Sequence, residues 1–142
     1  MELKILRDDK DLPLPSYAHE HDAGMDVYSA VTHTLNPGEI KAIPTGIRLA
    51  IPPGYEVQVR PRSGLALKYG IGLVNSPGTI DSQYRGPVNI IAINHGKEPY
   101  EIRRGDRIAQ LVLKKVEFAD LVEVQQLDDT VRSTGGYGST GR

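Results

Sequence analysis

The chain contains no cysteine and no tryptophan, and it has a single phenylalanine. Without thiols it can form no disulfide, zinc-thiolate site or iron–sulfur cluster, and it has no thiol nucleophile. With no Trp and one Phe, a carbohydrate-binding surface built on aromatic platforms is disfavoured. Long hydrophobic runs are also missing, since none approaches the ~20 residues of a membrane span. Met1 is followed by Glu2, Lys4 and Arg7 with no apolar stretch of the secretory type. A cytoplasmic protein with no membrane partner is therefore expected. Nor is there an excess of one charge: 17 Lys and Arg stand against 18 Asp and Glu, for a net charge of −1. General nucleic-acid binding draws its affinity from a positive surplus, so no nucleic-acid partner is expected.

What is present describes one folded unit. A chain of 142 residues, 39% hydrophobic and 25% charged, fits a single globular domain. Fifteen glycines and ten prolines with few aromatics favour short strands and turns over helices. Tyr55, Val57 and Val59 alternate with polar residues and predict a half-buried strand, and Ile47, Leu49 and Ile51 alternate with Arg48 and Ala50 and predict another. Val88 to Ile93 is apolar at nearly every position and predicts a strand buried on both faces. Leu3 to Leu6, Ile108 to Val112 and Leu121 to Val124 are further strand candidates. Turn chemistry falls between them at Asn36-Pro37-Gly38, Pro52-Pro53-Gly54, Asn75 to Gly78, Asn94-His95-Gly96 and Arg104-Gly105-Asp106. Only Ser63 to Tyr69 has helical character, kept short by Gly64 and Gly70. The pattern predicts an all-β barrel, sandwich or jelly roll. From Asp128 onward, Val131 is the last aliphatic residue, and Gly135, Gly136, Gly138 and Gly141 mix with Ser and Thr. Such a segment cannot offset its ordering entropy by burial. The expected division is a barrel over residues 1–127 and a mobile Gly-rich tail over 128–142.

Phosphate-loop, Rossmann and H-E-x-x-H motifs are absent. His19-Glu20-His21 offers two imidazoles, but its neighbours read as loop and no third metal ligand is evident. His33 and His95 stand alone and read as surface turn residues. Arg62-Ser63-Gly64 lies where a strand passes into a short helix, which suits either an anion or a helix cap beside a surface Arg. Gly72 to Gly86 is a dense polar segment in which Asp81 could act as a base and Tyr84 could offer a flat face. It reads equally as a long turn, or as a hairpin whose backbone groups meet a planar ligand. Asp26 beside Gly24 and Gln110 after Arg104-Gly105-Asp106 read as turn or site. In the tail, Tyr137 among glycines suits stacking, and Ser and Thr suit phosphate oxygens.

Taken in order, these five segments resemble the trimeric dUTPase family, from about Ala23 to Gly141. Gly-Thr-Ile-Asp-Ser-Gln-Tyr-Arg-Gly (78–86) and Gly-Gly-Tyr-Gly-Ser-Thr-Gly (135–141) carry most of the likeness. The resemblance implies a distorted jelly-roll β-barrel, assembled as a homotrimer whose active sites each draw on all three chains. The implied reaction is Mg²⁺-dependent hydrolysis of dUTP to dUMP and pyrophosphate, which keeps uracil out of DNA and supplies dUMP for thymidylate synthesis. By the same resemblance Asp81 activates the attacking water, and Tyr84 packs on the deoxyribose and excludes a 2′-hydroxyl. Asn75, with the backbone of Gly78, Thr79, Ile80 and Asn89, reads uracil. Arg62, Ser63, Gly64 and Gln110 meet the phosphates, and Asp26 supports them without binding metal. Mg²⁺ is held by phosphate oxygens and water, with no direct protein ligand. Tyr137 stacks over uracil while Arg132, Gly138, Ser139 and Thr140 close on the phosphates. Tyr137 replaces the more frequent Phe, Ser133-Thr134 varies the start of the tail motif, and Pro87 varies the third motif. The related deoxycytidine triphosphate deaminases share the fold but need a catalytic Glu, and none lies between Gly72 and Lys97.

Overall fold

The computed structural model describes residues 1–137. Its largest sheet has five antiparallel strands: β2 (Ser16–Tyr17), β3 (Met25–Tyr28), β12 (Arg107–Lys115), β7 (Tyr55–Arg60) and β9 (Gly78–Ile80), in that spatial order. A second sheet places β10 (Asn89–Asn94) between β5 (Ile40–Pro44) and β8 (Ile71–Leu73). Two ribbons complete the barrel, β1 (Lys4–Arg7) with β6 (Ile47–Ala50) and β4 (His33–Leu35) with β11 (Tyr100–Ile102). The helix α1 spans Ser63–Tyr69, the stretch that the sequence marks as helical. It stops at Gly70, whose φ of 71° is left-handed and whose N–H closes onto the carbonyls of Ala66 and Leu65. A side chain at Gly70 would meet the Gly96 nitrogen at 2.6 Å, so a glycine is needed there twice over.

The alternating strands fold as their pattern predicts. Ile47, Leu49, Val57 and Val59 turn inward to join Val27, Leu35, Ile43, Ile90 and Leu111 in one apolar core. The segment predicted to be buried on both faces differs: β10 alternates, with Ile90, Ala92 and Asn94 inside and Asn89 and Ile91 outside, Ile91 at 38% exposure. The outer-face residues Asn89 and Ile91 stay partly open to solvent, so an apolar run reports composition and not burial. Leu121 to Val124 is not a strand. Beyond Val116, whose N–H donates to the Gly54 carbonyl at 2.9 Å, the described residues lie in neither helix nor strand. Leu121, Val122 and Val124 are exposed, and among the described residues they pair with no strand. His33 is not a turn residue either. It lies on β4, and its Nε2 is 2.7 Å from Glu39 Oε1. The Asn36 backbone N–H, with His33 behind it, holds the Glu39 carboxyl below the usual carboxylate range.

Buried polar groups fasten the turns. The Thr45 hydroxyl donates to the Val88 carbonyl at 2.6 Å. Asn94 is fully buried; its amide donates to the carbonyls of Leu35 (2.9 Å) and Glu98 (2.8 Å), and its oxygen accepts the Gly96 N–H (2.8 Å). At the amino end, Arg104 clasps Asp9 and drives its carboxyl below the usual range, while the Asp8 and Asp9 N–H groups donate to the Gly46 carbonyl. Replacing Asn94 by Ala strands one buried and two part-buried polar groups, at roughly 1–3 kcal/mol for a fully buried one before relaxation. Asn94→Ala should therefore lower unfolding free energy by at least about 2 kcal/mol, read from the urea midpoint at constant m-value.

Candidate active site

The strands on either side of residues 74–77 belong to different sheets. β8 pairs with β10, whereas β9 pairs with β7 (Val59 opposite Gly78, Val57 opposite Ile80). The segment predicted as a possible hairpin is thus a crossing between sheets, and the sheets part beneath it. The Val74 N–H still holds the Ile91 carbonyl at 3.0 Å, the Ser76–Pro77 peptide is cis, and the chain re-enters the large sheet at Gly78. A Cβ on Gly78 would come within 3.1 Å of Asn75 Nδ2 and 3.3 Å of Val59 Cβ, so glycine keeps the crossing closed against β7.

The space left between the sheets is a cavity of about 350 Å³. Val59, Leu73 and Ile91 give it apolar walls, and Asn75, Gly78, Thr79, Ile80 and Asn89 supply polar side chains and backbone. Asp81 and Tyr84 form its lip, and Asp81 is the one carboxylate among the described lining residues. The six residues predicted to read base and sugar, together with Asp81, thus line one cavity. Tyr84 is held flat: its hydroxyl donates to the Pro87 carbonyl at 3.0 Å, and its N–H donates to the Asp81 carbonyl at 3.1 Å. Gly86 makes this possible, because a Cβ there would lie within 2.9 Å of ring atom Cε2. Arg85 donates to the carbonyls of Ser82 (2.6 Å) and Tyr84 (2.8 Å), which fixes the lip from behind. Beyond Asp81 and Tyr84 a second, open groove runs to Tyr55, Val116 and Phe118.

Two of the predicted phosphate-binding residues, Arg62 and Gln110, gather elsewhere, around Asp26. This carboxylate lies on β3 with its side chain only 5% exposed, so it is a strand residue and not a turn. Arg62 Nε stands 3.4 Å from Oδ1, Arg107 Nη1 donates to Oδ2 at 3.4 Å, and Gln110 Nε2 donates to Oδ1 at 3.4 Å. Arg62 also donates to the Arg107 carbonyl at 3.0 Å. Its backbone precedes the helix, but its side chain makes no cap, so the helix-cap reading of this segment fails. Ser63 and Gly64 open the helix with exposed side positions.

Within one chain the two groups face apart. Asp26 pairs with Gln110, which pairs with Arg60, in one row across the large sheet. Val59, next to Arg60, lines the cavity, so strand alternation puts the Asp26 row on the opposite face. Three strand spacings also separate β3 from β9, about 14 Å. Of the tail residues, Arg132 donates to the Gly135 carbonyl at 2.8 Å, and Tyr137 is fully exposed. Gly138, Ser139 and Thr140 lie outside the described residues. Among the described residues no three His, Asp or Glu side chains are grouped to hold a metal, and His19 and His21 sit in an exposed loop. Sequence reasoning missed Arg107, whose signal is its spacing of three from Gln110 across an irregular strand.

Fold and cavity together define a jelly-roll protein with a carboxylate at the lip of a cleft between diverging sheets. The chain belongs to the dUTPase family, whose model matches residues 10–141. It is 57% identical over 141 residues to the deoxyuridine 5'-triphosphate nucleotidohydrolase of Zymomonas mobilis, covering 99% of this chain and 97% of that one. It is 53% identical over 143 residues to the enzyme of the same name from Caldanaerobacter subterraneus, with the same coverage. Among solved structures, the dUTPase of Staphylococcus bacteriophage 80alpha with dUPNHPP superposes with a TM-score of 0.92 at 28% identity, covering 99% of both chains. A dUTPase from phage phi11 of S. aureus, in which a structural Mg(II) ion is coordinated, superposes at 0.82 with 26% identity, covering 89% of this chain and 98% of that one.

Removing the Asp26 charge leaves two guanidiniums side by side without their shared anion. Asp26→Asn should cost about 1–2 kcal/mol, below the value for a fully buried pair because both arginines reach water. Chemical denaturation checks this, and the loss should shrink in high salt.

Proposed function

We propose that this chain hydrolyses dUTP to dUMP and pyrophosphate. The observation that carries the reading is the single cleft joining the backbone of Gly78–Ile80, the ring of Tyr84 and the lone carboxylate of Asp81. Its volume and its mix of apolar wall and backbone polar groups suit a pyrimidine nucleoside. Backbone groups at fixed positions match the donor and acceptor pattern of uracil; cytosine would leave buried groups unpaired. Tyr84, pinned at both its hydroxyl and its backbone, presents a fixed face to the sugar and leaves no room for a 2′-hydroxyl. Asp81 accepts a proton from water as that water attacks the α-phosphorus in line and pyrophosphate departs. A positioned base of this kind contributes typically ~10²–10⁴ in rate.

The Asp26 cluster receives the phosphates through Arg62, Ser63 and Gln110. It faces away from the cleft of its own chain, so the cluster serving each cleft comes from another copy. A homotrimer with composite sites meets that need. The tail supplies Arg132 and Tyr137, with Gly138, Ser139 and Thr140, as a cover over the bound nucleotide. Residues 1–127 act as the barrel unit and 128–142 as this cover. Mg²⁺ suits the site as a companion of the substrate: bound by triphosphate oxygens and water, it needs no acidic cage and offsets charge on the leaving pyrophosphate. No helix among the described residues is long and apolar enough to cross a membrane. The enzyme works in the cytoplasm, where it keeps uracil out of DNA and supplies dUMP for thymidylate synthesis.

The test is pyrophosphate release with Mg²⁺ from dUTP, dCTP, dTTP and UTP, with ammonia assayed in parallel. Release from dUTP alone is expected, and ammonia from dCTP would overturn the reading. Asp81→Asn should lower kcat by about 10²-fold or more while dUTP still binds, and wild-type turnover would remove Asp81 from its role. Gly86→Ala should tilt Tyr84 and cut the preference for dUTP over UTP by about tenfold, read as the ratio of kcat/KM values. Truncation after Asp129 should abolish most activity without moving the thermal midpoint, because the described residues it removes, 130–137, are all exposed.

A further inference from the structure

The lip of the cleft is not anchored by the core. Ile80 at the end of β9 and Val88 just before β10 are buried, but none of residues 81–87 between them is. These residues lie in neither helix nor strand, and they carry both Asp81 and Tyr84. A loop without ladder bonds or apolar packing samples many conformers unless polar contacts hold it. Four such contacts lie within this one. The Tyr84 N–H closes a turn onto the Asp81 carbonyl, and the Tyr84 hydroxyl reaches the Pro87 carbonyl. The other two come from a single atom, Arg85 Nη1, which donates to the carbonyls of Ser82 at 2.6 Å and Tyr84 at 2.8 Å.

The two carbonyls stand on either side of Gln83, so one nitrogen fixes both peptide planes of the turn that starts at Asp81. On its other side Asp81 follows directly on the β9 ladder, where Ile80 lies opposite Val57. The carboxylate is thus aimed by a ladder from one direction and by the stapled turn from the other. Among the described residues Arg85 forms no ion pair, whereas Arg48, which lines the same hollow, holds Asp8 at 2.8 Å. The Arg85 guanidinium is directed at the backbone of its own loop and not at a carboxylate. Arg85 also lines a hollow of about 360 Å³ with Ile5, Leu6 and Leu49 of the β1–β6 ribbon, and it is the one lip residue among the described lining. It therefore ties the loop to the barrel where no buried side chain does.

We infer that Arg85 is a positioning residue for catalysis: by bridging the Ser82 and Tyr84 carbonyls it holds the turn that aims Asp81 at the attacking water and Tyr84 at the sugar. This rests on the dUTP reading and adds to it a residue that acts through the backbone and not by contact with substrate. Arg85 sets how much of the time carboxylate and ring stand in the productive arrangement. A base misplaced by ~1 Å loses up to about 10²-fold in rate. The backbone of Gly78–Ile80 belongs to β9 and its ladder and keeps its place without the staple. Loss of Arg85 therefore falls on kcat and on the choice between deoxyribose and ribose, and leaves nucleotide affinity nearly intact.

The test compares wild type with Arg85→Ala, Arg85→Met and Arg85→Lys. Met keeps an apolar stem over the ribbon without the donors, which guards against a packing defect in the Ala variant. The readouts are kcat and kcat/KM for dUTP and UTP with Mg²⁺, affinity for the α,β-imido analogue of dUTP, and thermal midpoint. Guanidinium chloride at low millimolar concentration is added to the Ala variant to return a planar donor to the vacated space. The expected result is a kcat for dUTP lower by about tenfold or more in Ala and Met, with analogue affinity within about threefold of wild type. The preference for dUTP over UTP should fall with it, the midpoint should not move, and Lys or added guanidinium should recover part of the rate. Wild-type kcat in Ala and Met would overturn the inference and leave the hydrolase reading standing. Equal losses of rate and affinity with a lowered midpoint, and no recovery by Lys or guanidinium, would mark Arg85 as a structural residue and also overturn it. A wild-type protein that does not hydrolyse dUTP overturns that reading and this inference with it.

Discussion

The crossing at residues 74–77 is the constraint from which the candidate site follows. β8 and β9 are separated by only four residues, yet each is committed to a different sheet by its own ladder. Because the pairings pull the chain apart, the sheets diverge, and the divergence leaves a cleft where most of the barrel is filled by side chains. The residues at its rim are backbone-rich for the same reason: a short crossing has no length to spend on side-chain layers, and Gly78 packs directly on Val59 and Asn75. Asp81 and Tyr84 come next in the chain and stand at the mouth of the cleft. The Tyr84–Pro87 and Arg85–Ser82 bonds then stiffen the lip without help from the core.

Local signals were legible in the sequence and non-local ones were not. Alternation located β6 and β7, and flanking glycines bounded α1, because side-chain period and glycine conformation act within a few residues. Sheet membership does not. Nothing between Gly72 and Gly86 states that β8 pairs with β10 while β9 pairs with β7, so a hairpin was an equal reading. The apolar run at β10 concealed its alternation, since Ile91 is as apolar as Ile90 and only the fold distinguishes their faces. Leu121 to Val124 has strand composition but no partner strand. His33 finds its carboxylate six residues on, beyond a turn whose closure the residues themselves do not announce. At the site, the residues lining the cleft were found through motif order. Arg107 was missed because an Arg following a Gly-Asp turn is ordinarily a solvated surface residue, and the bulge that redirects it is a property of the pairing.

The separation of opposite charges has a chemical consequence. Asp81 lies at the lip of the cleft, whereas the guanidiniums of Arg62 and Arg107 are anchored to Asp26 on the other face of the sheet. A base that formed an ion pair with a phosphate-binding arginine of its own chain would lose basicity, and that arginine would lose reach toward substrate. Giving the arginines a dedicated buried anion avoids this. Asp26 fixes their positions before any ligand arrives, so the ordering cost is met in folding and not in binding. In the composite site proposed above, an uncommitted carboxylate and a pre-set cationic surface would come together only where copies meet. On this view the long 3.4 Å contacts around Asp26 are a working feature: a tighter pairing would hold the cations more firmly but leave less of their charge for the phosphates.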